Sequence, residues 1–242
     1  MKNKLTFLFI VLIGLNINPA QSQDTRNPNR EHDHNGHFSP NLNLAVPRGE
    51  FKNLASRGAF FGIGGGFYSQ IGVLPIDWGA SFHYFWMGSE SEKFELNDPV
   101  IGLYEVDSRV SSAMMPIHVH GRISFLRTLN DFFFPYVEVM GGFRIFNTRS
   151  VIEVEIPNQE NPEPETDNTT NFTWSYGYGA GAAFRLTTNV LLDARVVRMP
   201  GGQAKYLDPE SVKFNSNQEP VFSRTRSKTD AMVYQLGLKL KF

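Results

Sequence analysis

The sequence predicts an all-β fold: an eight-stranded antiparallel up-and-down barrel that crosses a membrane on its strands. Three observations predict it. Beyond residue 22 no apolar run is long enough for a membrane helix, yet apolar and polar residues alternate with a period of two in segments of about ten residues. The connections between segments are in turn short and long. The 242 residues include no cysteine, so neither disulfides nor a lipidated cysteine holds the chain, and stability must come from the fold.

Residues 1 to 22 stand apart. Lys2 and Lys4 form a positive start, Leu5 to Leu15 an apolar stretch of 11 residues, and Ala20, Gln21 and Ser22 a small-residue end suited to cleavage. This is the pattern of a secretory signal peptide. A retained membrane helix would need roughly 20 apolar residues. Without the two lysines the chain carries 21 basic and 24 acidic residues, a balance of −3 that gives no reason to expect nucleic acid as a partner. Residues 23 to 37 are expected to be a flexible segment ahead of a barrel at 38 to 242. The stretch "REHDHNGH" places His32, His34 and His37 beside Glu31 and Asp33. Histidine with carboxylate can bind zinc or copper, but a short tract of this kind is only a compositional cue, and no metal or cofactor is assigned.

The strands follow in order. The first, 38 to 47, places Leu42, Leu44 and Val46 on one face; the second, 58 to 69, does the same with Phe61, Ile63 and Phe67. The third, 77 to 88, gathers Trp78, Ala80, Phe82, Tyr84 and Trp86. The fourth, 108 to 125, aligns Ile117, Val119, Ile123 and Phe125, with a bulge expected at Pro116 because proline cannot donate to a ladder. The fifth is 135 to 150, the seventh 189 to 199 and the eighth 230 to 242. The sixth, 170 to 186, shows the alternation best: Phe172, Trp174, Tyr176, Tyr178, Ala180, Ala182 and Phe184 interleave with Thr173, Ser175, Gly177, Gly179, Gly181 and Ala183. A soluble lipocalin-like barrel would turn the rings inward. Eight strands enclose a space that side chains just fill, so this many rings would overfill it while leaving glycine, arginine and lysine outside.

The connections agree. "QIGVLPI", "LRTLNDFFF" and "TT" are short, whereas 89 to 107, 151 to 169 and 200 to 229 are long and polar, with 48 to 57 as a shorter first member. Barrels of the outer membrane have short periplasmic turns and longer extracellular loops, and an even strand number puts both termini in the periplasm. At the end of the chain, Gln235, Gly237, Leu240 and Phe242 fit a polar, glycine, hydrophobic and terminal-aromatic pattern. That pattern resembles the C-terminal signal read by the barrel-assembly machinery. With the eight strands and the "VPRGEF" turn from Val46 to Phe51, the chain resembles the small OmpA/OmpX-type barrels over most of 38 to 242. The resemblance implies an outer-membrane location among lipids and lipopolysaccharide. It does not imply an activity, since a fold hosts many functions.

With the rings facing lipid, the other face carries His83, His118, His120, Arg122, Glu138, Arg144, Arg185, Asp193, Arg195 and Lys239. These are expected to pair inside the barrel, with arginines around Glu138 and Asp193, as a plug in preference to an ion path. "HVHGRIS" offers His118, His120 and Ser124 to a lipid-modifying enzyme, but parity sends all three inward, away from lipid, and no other nucleophile is paired with a base. The loops hold the remaining information. Residues 151 to 169 contain six acids and no base, 89 to 107 six acids and Lys93, whereas "SRTRSK" at 223 to 228 is basic. The expected protein is therefore non-enzymatic, serving envelope integrity or surface interaction through loops that meet an external partner or cation-bridged lipopolysaccharide. A narrow channel or secretion-machinery component and a lipid-modifying enzyme are the alternatives.

Overall fold

The computed structural model describes residues 36–54, 58–71, 74–98, 102–125, 132–155, 165–207, 213–214, 220–221 and 224–242. The predicted signal peptide, the segment that follows it to residue 35, and with them His32 and His34, lie outside the described residues.

Strand β1 (Gly36–Pro47) leads through a short helix α1 (Glu50–Leu54) to β2 (Phe60–Gln70), β3 (Ile76–Asp98), β4 (Gly102–Ser124), β5 (Phe133–Glu155), β6 (Glu165–Arg185) and β7 (Val190–Met199). The connection after β7 carries β8 (Gln203–Leu207), β9 (Lys213–Phe214), β10 (Pro220–Val221) and β11 (Arg224–Lys228), and β12 (Ala231–Lys241) ends the chain. Strands β1 to β7 and β12 close into one barrel in which each strand pairs antiparallel with its neighbour in the sequence, and β12 returns to β1. In the last connection β11 pairs with β8 and β10 with β9.

The alternation decides which way each side chain points. Phe61, Ile63, Phe67, Trp78, Trp86, Phe172, Trp174, Tyr176 and Tyr178 are exposed on the outer face, Trp174 to 80%. Arg122 and Arg144, by contrast, are fully buried inside. A surface this apolar around an interior this charged is the reverse of a soluble protein and suits a wall that meets lipid. Closure satisfies the ladder groups internally, which hydrocarbon requires.

Three expectations need correction. Within the stretches 89 to 107 and 151 to 169 the described residues are strand: β3 and β4 pair from Gly88↔Ser112 to Asp98↔Gly102, and β5 with β6 as far as Ile152↔Glu165. The ladder continues where the hydrophobic alternation stops, and one of its faces is covered, with Val106, Ser108 and Val110 buried. The bulge is not at Pro116. The β3–β4 pairing skips the position opposite this proline and resumes in the same register, from Phe82↔Ile117 to Phe85↔Met114. The register shifts instead between Trp86 and Gly88, where Gly88 takes a φ of 130° that other residues rarely adopt. Finally, β1 begins at Gly36, which draws His37 into the wall, its ring stacked on Tyr68 at 5.0 Å.

Candidate functional site

The interior is layered. At the end where β1 begins and β12 finishes, Phe134, Ala183 and Leu191 form a small apolar cluster. Arg185 reaches it half-buried, its guanidinium 5.3 Å from the Phe134 ring centre.

The middle layer is polar and centres on Glu138. Its carboxylate accepts from Arg122 Nη2 at 3.1 Å and from Arg195 Nη1 at 3.0 and 3.2 Å, and His120 Nδ1 lies 3.6 Å away. Arg122 is held between two rings, 4.4 Å from the centre of Tyr68 and 4.0 Å from that of Tyr136, a cation–π sandwich strengthened by the lack of competing water. Arg195 also donates to the Tyr68 hydroxyl at 3.0 Å. Asp193 is served by other groups than the arginines expected for it. Lys239 Nζ is 3.1 Å away, and the Tyr136 hydroxyl donates at 2.8 and 3.0 Å. Strand register explains this, since Asp193 sits across from Gly237 on β12, one inward position from Lys239. Small residues leave the space: a Cβ on Gly181 would lie 2.5 Å from the Tyr136 hydroxyl oxygen.

The histidines fill out the layer. His120 Nε2 and Ser81 Oγ share a hydrogen bond of 2.6 Å, and His118 Nε2 and Ser175 Oγ one of 3.0 Å. The Asn43 amide lies 3.3 Å from His83 Nδ1, and Gln235 donates to the Asn43 oxygen. Gln235 of the terminal pattern is thus an interior residue, whereas Leu240 and Phe242 are exposed outside and Gly237 packs against Pro40 and Asn41 of β1. The Phe242 N–H donates to the Gly36 carbonyl at 3.2 Å.

Towards the loop end the interior turns apolar, a feature sequence reasoning missed. Phe60, Phe85, Met114, Met140, Phe146, Val197, Met199 and Val233 pack together, joined by Phe51 from α1 and Ala204 from β8. Phe51 is 1% exposed and lies 5.8 Å from the Phe60 ring and 6.3 Å, edge-on, from that of Phe146. A signal was available: in Phe82 to Trp86 apolar residues fall on both faces, which marks burial on the inner side as well. Arg144 rises into this layer and contacts no carboxylate among the described residues. It donates to the Met199 carbonyl at 2.7 Å and to that of Thr229, clasping the two ends of the last connection. With acceptors supplied by backbone, its charge is solvated without a partner acid.

Chemically this arrangement holds charge in place. His118 and His120 face inward with serines, and Ser124 is only half-buried at the foot of β4, so these residues do not converge on a lipid-facing centre.

An inside-out, closed, eight-stranded barrel of this kind is an outer-membrane β-barrel. No family model and no curated protein matches the chain. Among solved structures it is similar to Neisserial surface protein A, 13% identical over 86% of this chain and 97% of that one, with a TM-score of 0.45. It is also similar to OprG from Pseudomonas aeruginosa (11% identity, 86% and 96% coverage, TM-score 0.46) and to Ail of Yersinia pestis (12% identity, 86% and 97% coverage, TM-score 0.34).

Proposed function

We propose that the protein is a non-enzymatic surface-interaction barrel of the outer membrane, with its loop end outward, its lumen packed shut and its extended strands presented to an external partner. One observation carries this reading. Pairing between β2 and β3 ends at Trp86, but β3, β4, β5 and β6 continue together as a projecting sheet. The outer edge of β3 from Gly88 to Asp98 has no ladder partner among the described residues. A bare edge offers a row of backbone donors and acceptors onto which an extended segment can add as another strand. The sheet bears charge as well, with Lys93 and Glu105 paired across it at 3.3 Å and Arg109, Arg149 and Glu153 exposed. The layered interior favours a support over a conduit, because two apolar layers bracket the polar one.

The test is photo-crosslinking in intact cells from a reactive residue at Ser91, on the free edge, and from one at Phe67, near the foot of the wall. Protein adducts from Ser91, absent from Phe67, are expected. Lipid adducts alone from both positions, together with steady ion conductance by the reconstituted protein, would replace this reading with a channel.

A further inference from the structure

We propose that the lipid-facing wall carries a docking site for the phosphate of an outer-leaflet lipid, centred on Arg198. The proposal rests on the reading that the barrel spans the outer membrane with its loop end outward.

Below the level at which pairing between β2 and β3 ends, the outward positions of the eight barrel strands are apolar, small or neutral, with one exception. Among the described residues that exception is Arg198. It is exposed, eight residues beyond Val190 at the foot of β7. With about 3.3 Å of rise per residue and a strand tilt of about 40°, that places its Cα about 20 Å up an apolar band about 25 Å tall. The position is therefore within the hydrocarbon but close to its outer boundary, within reach of a long side chain that carries its charge to the head groups.

Its surroundings suit a phosphate. Tyr178 is directly opposite on β6 and Met232 on β12, which makes Tyr176 and Tyr234 the diagonal neighbours. All three tyrosines are exposed, by 61% at Tyr176, 55% at Tyr178 and 42% at Tyr234. Their hydroxyls can donate to phosphate oxygens while their rings stay in the acyl layer. Among the described residues Arg198 has no salt bridge and no side-chain hydrogen bond, so its five donors face the membrane unspent. A guanidinium left this way in lipid needs an anion, and the outer leaflet supplies phosphate, two of whose oxygens the planar guanidinium can bind at once. Arg48, exposed at the top of β1 and fixed by its N–H to the Asp230 carbonyl at 2.8 Å, is two strands away, at roughly 12 Å between Cα atoms. It supplies a second positive charge at the same rim. Two acids at this rim are already engaged, Asp230 with the Gly201 N–H at 3.1 Å and Glu50 with the Lys228 N–H at 3.1 Å.

The experiment uses full-length protein folded into phosphatidylcholine vesicles doped with equal amounts of bis-phosphorylated lipid A and its dephosphorylated form. The barrel is then extracted in mild detergent, and co-purifying lipid is counted by mass spectrometry. Wild type should retain the phosphorylated form about tenfold over the dephosphorylated one, equivalent to about 1.4 kcal/mol. Arg198→Gln should abolish the preference, Arg198→Lys keep part of it, and Arg226→Gln, in the last connection, leave it intact. Heat-dependent gel mobility shows that each variant is a closed barrel. Insertion of the wild type without discrimination, or full discrimination by Arg198→Gln, would overturn the phosphate site alone. Failure of the wild type to insert would remove the membrane reading and the site with it.

Discussion

Replacing Glu138 by alanine removes one carboxylate from beneath two guanidiniums. Arg122 loses its 3.1 Å acceptor and Arg195 its 3.0 Å one, keeping only the Tyr68 hydroxyl. Neither can turn to Asp193, which is already held by Lys239 and Tyr136. Breaking a buried pair by deleting one partner costs about 3 to 5 kcal/mol, because the remaining charge stays out of water. Here two charges are stranded by a single change, which places the expected loss at the upper end of that range. Glu153→Ala, on the exposed continuation of β5, should stay within about 0.5 kcal/mol of wild type. The assay is urea unfolding of the barrel in lipid vesicles, followed by tryptophan fluorescence, since Trp78, Trp86 and Trp174 all lie on the outer face and report loss of lipid contact. A triple variant, Glu138→Ala with Arg122→Met and Arg195→Met, should regain most of the loss, as apolar packing often substitutes for a buried ionic cluster. A Glu138→Ala protein within about 1 kcal/mol of wild type would refute the claim that this carboxylate holds the interior together.

Other outcomes follow from the same contacts. Phe51→Ala should cost about 3 kcal/mol, the usual loss for truncating a buried ring, and should expose residues 48 to 59 to protease; an unchanged digestion pattern would mean that α1 is not held by its ring. Arg144→Ala releases the carbonyls of Met199 and Thr229, so trypsin should cut the β7–β12 connection about tenfold faster, a change of about 1.4 kcal/mol in local opening. Deleting Phe242 removes the terminal ring and the bond to Gly36, and should lower the folded membrane fraction at modest expression; equal folded yields would show the ring to be dispensable.

The inward set was legible because side-chain parity survives errors of several residues in strand ends. Trp174 and Thr173 cannot exchange faces without reversing every neighbour on β6. The extended strands were not legible. Glu92, Glu95, Glu153 and Glu155 carry the composition of a loop, and only hydrogen bonding to the next strand makes them a sheet. The apolar layer escaped for a related reason. Inward positions were recognised by their polarity, and Phe60, Phe85 and Phe146 are inward without being polar. The partner of Arg144 was out of reach altogether, because a backbone carbonyl has no sequence signature.

The seam between β1 and β12 brings the last strand back to the first, with His37 opposite Lys241. The barrel strands thus form a ring in which the place of the opening is a matter of synthesis only. Joining the end of β12 to the start of β1 with a short linker and opening the chain elsewhere, between β5 and β6 for example, would leave all eight seams in place. Cutting there without a bridge would give two pieces still held by the β5–β6 and β12–β1 seams, and such halves should find each other when mixed. In either case the seams would be the same, but in the bridged chain the order in which they close would change: the join that now spans nearly the whole barrel would become a local hairpin, and a different pair of strands would have to wait for the last residue.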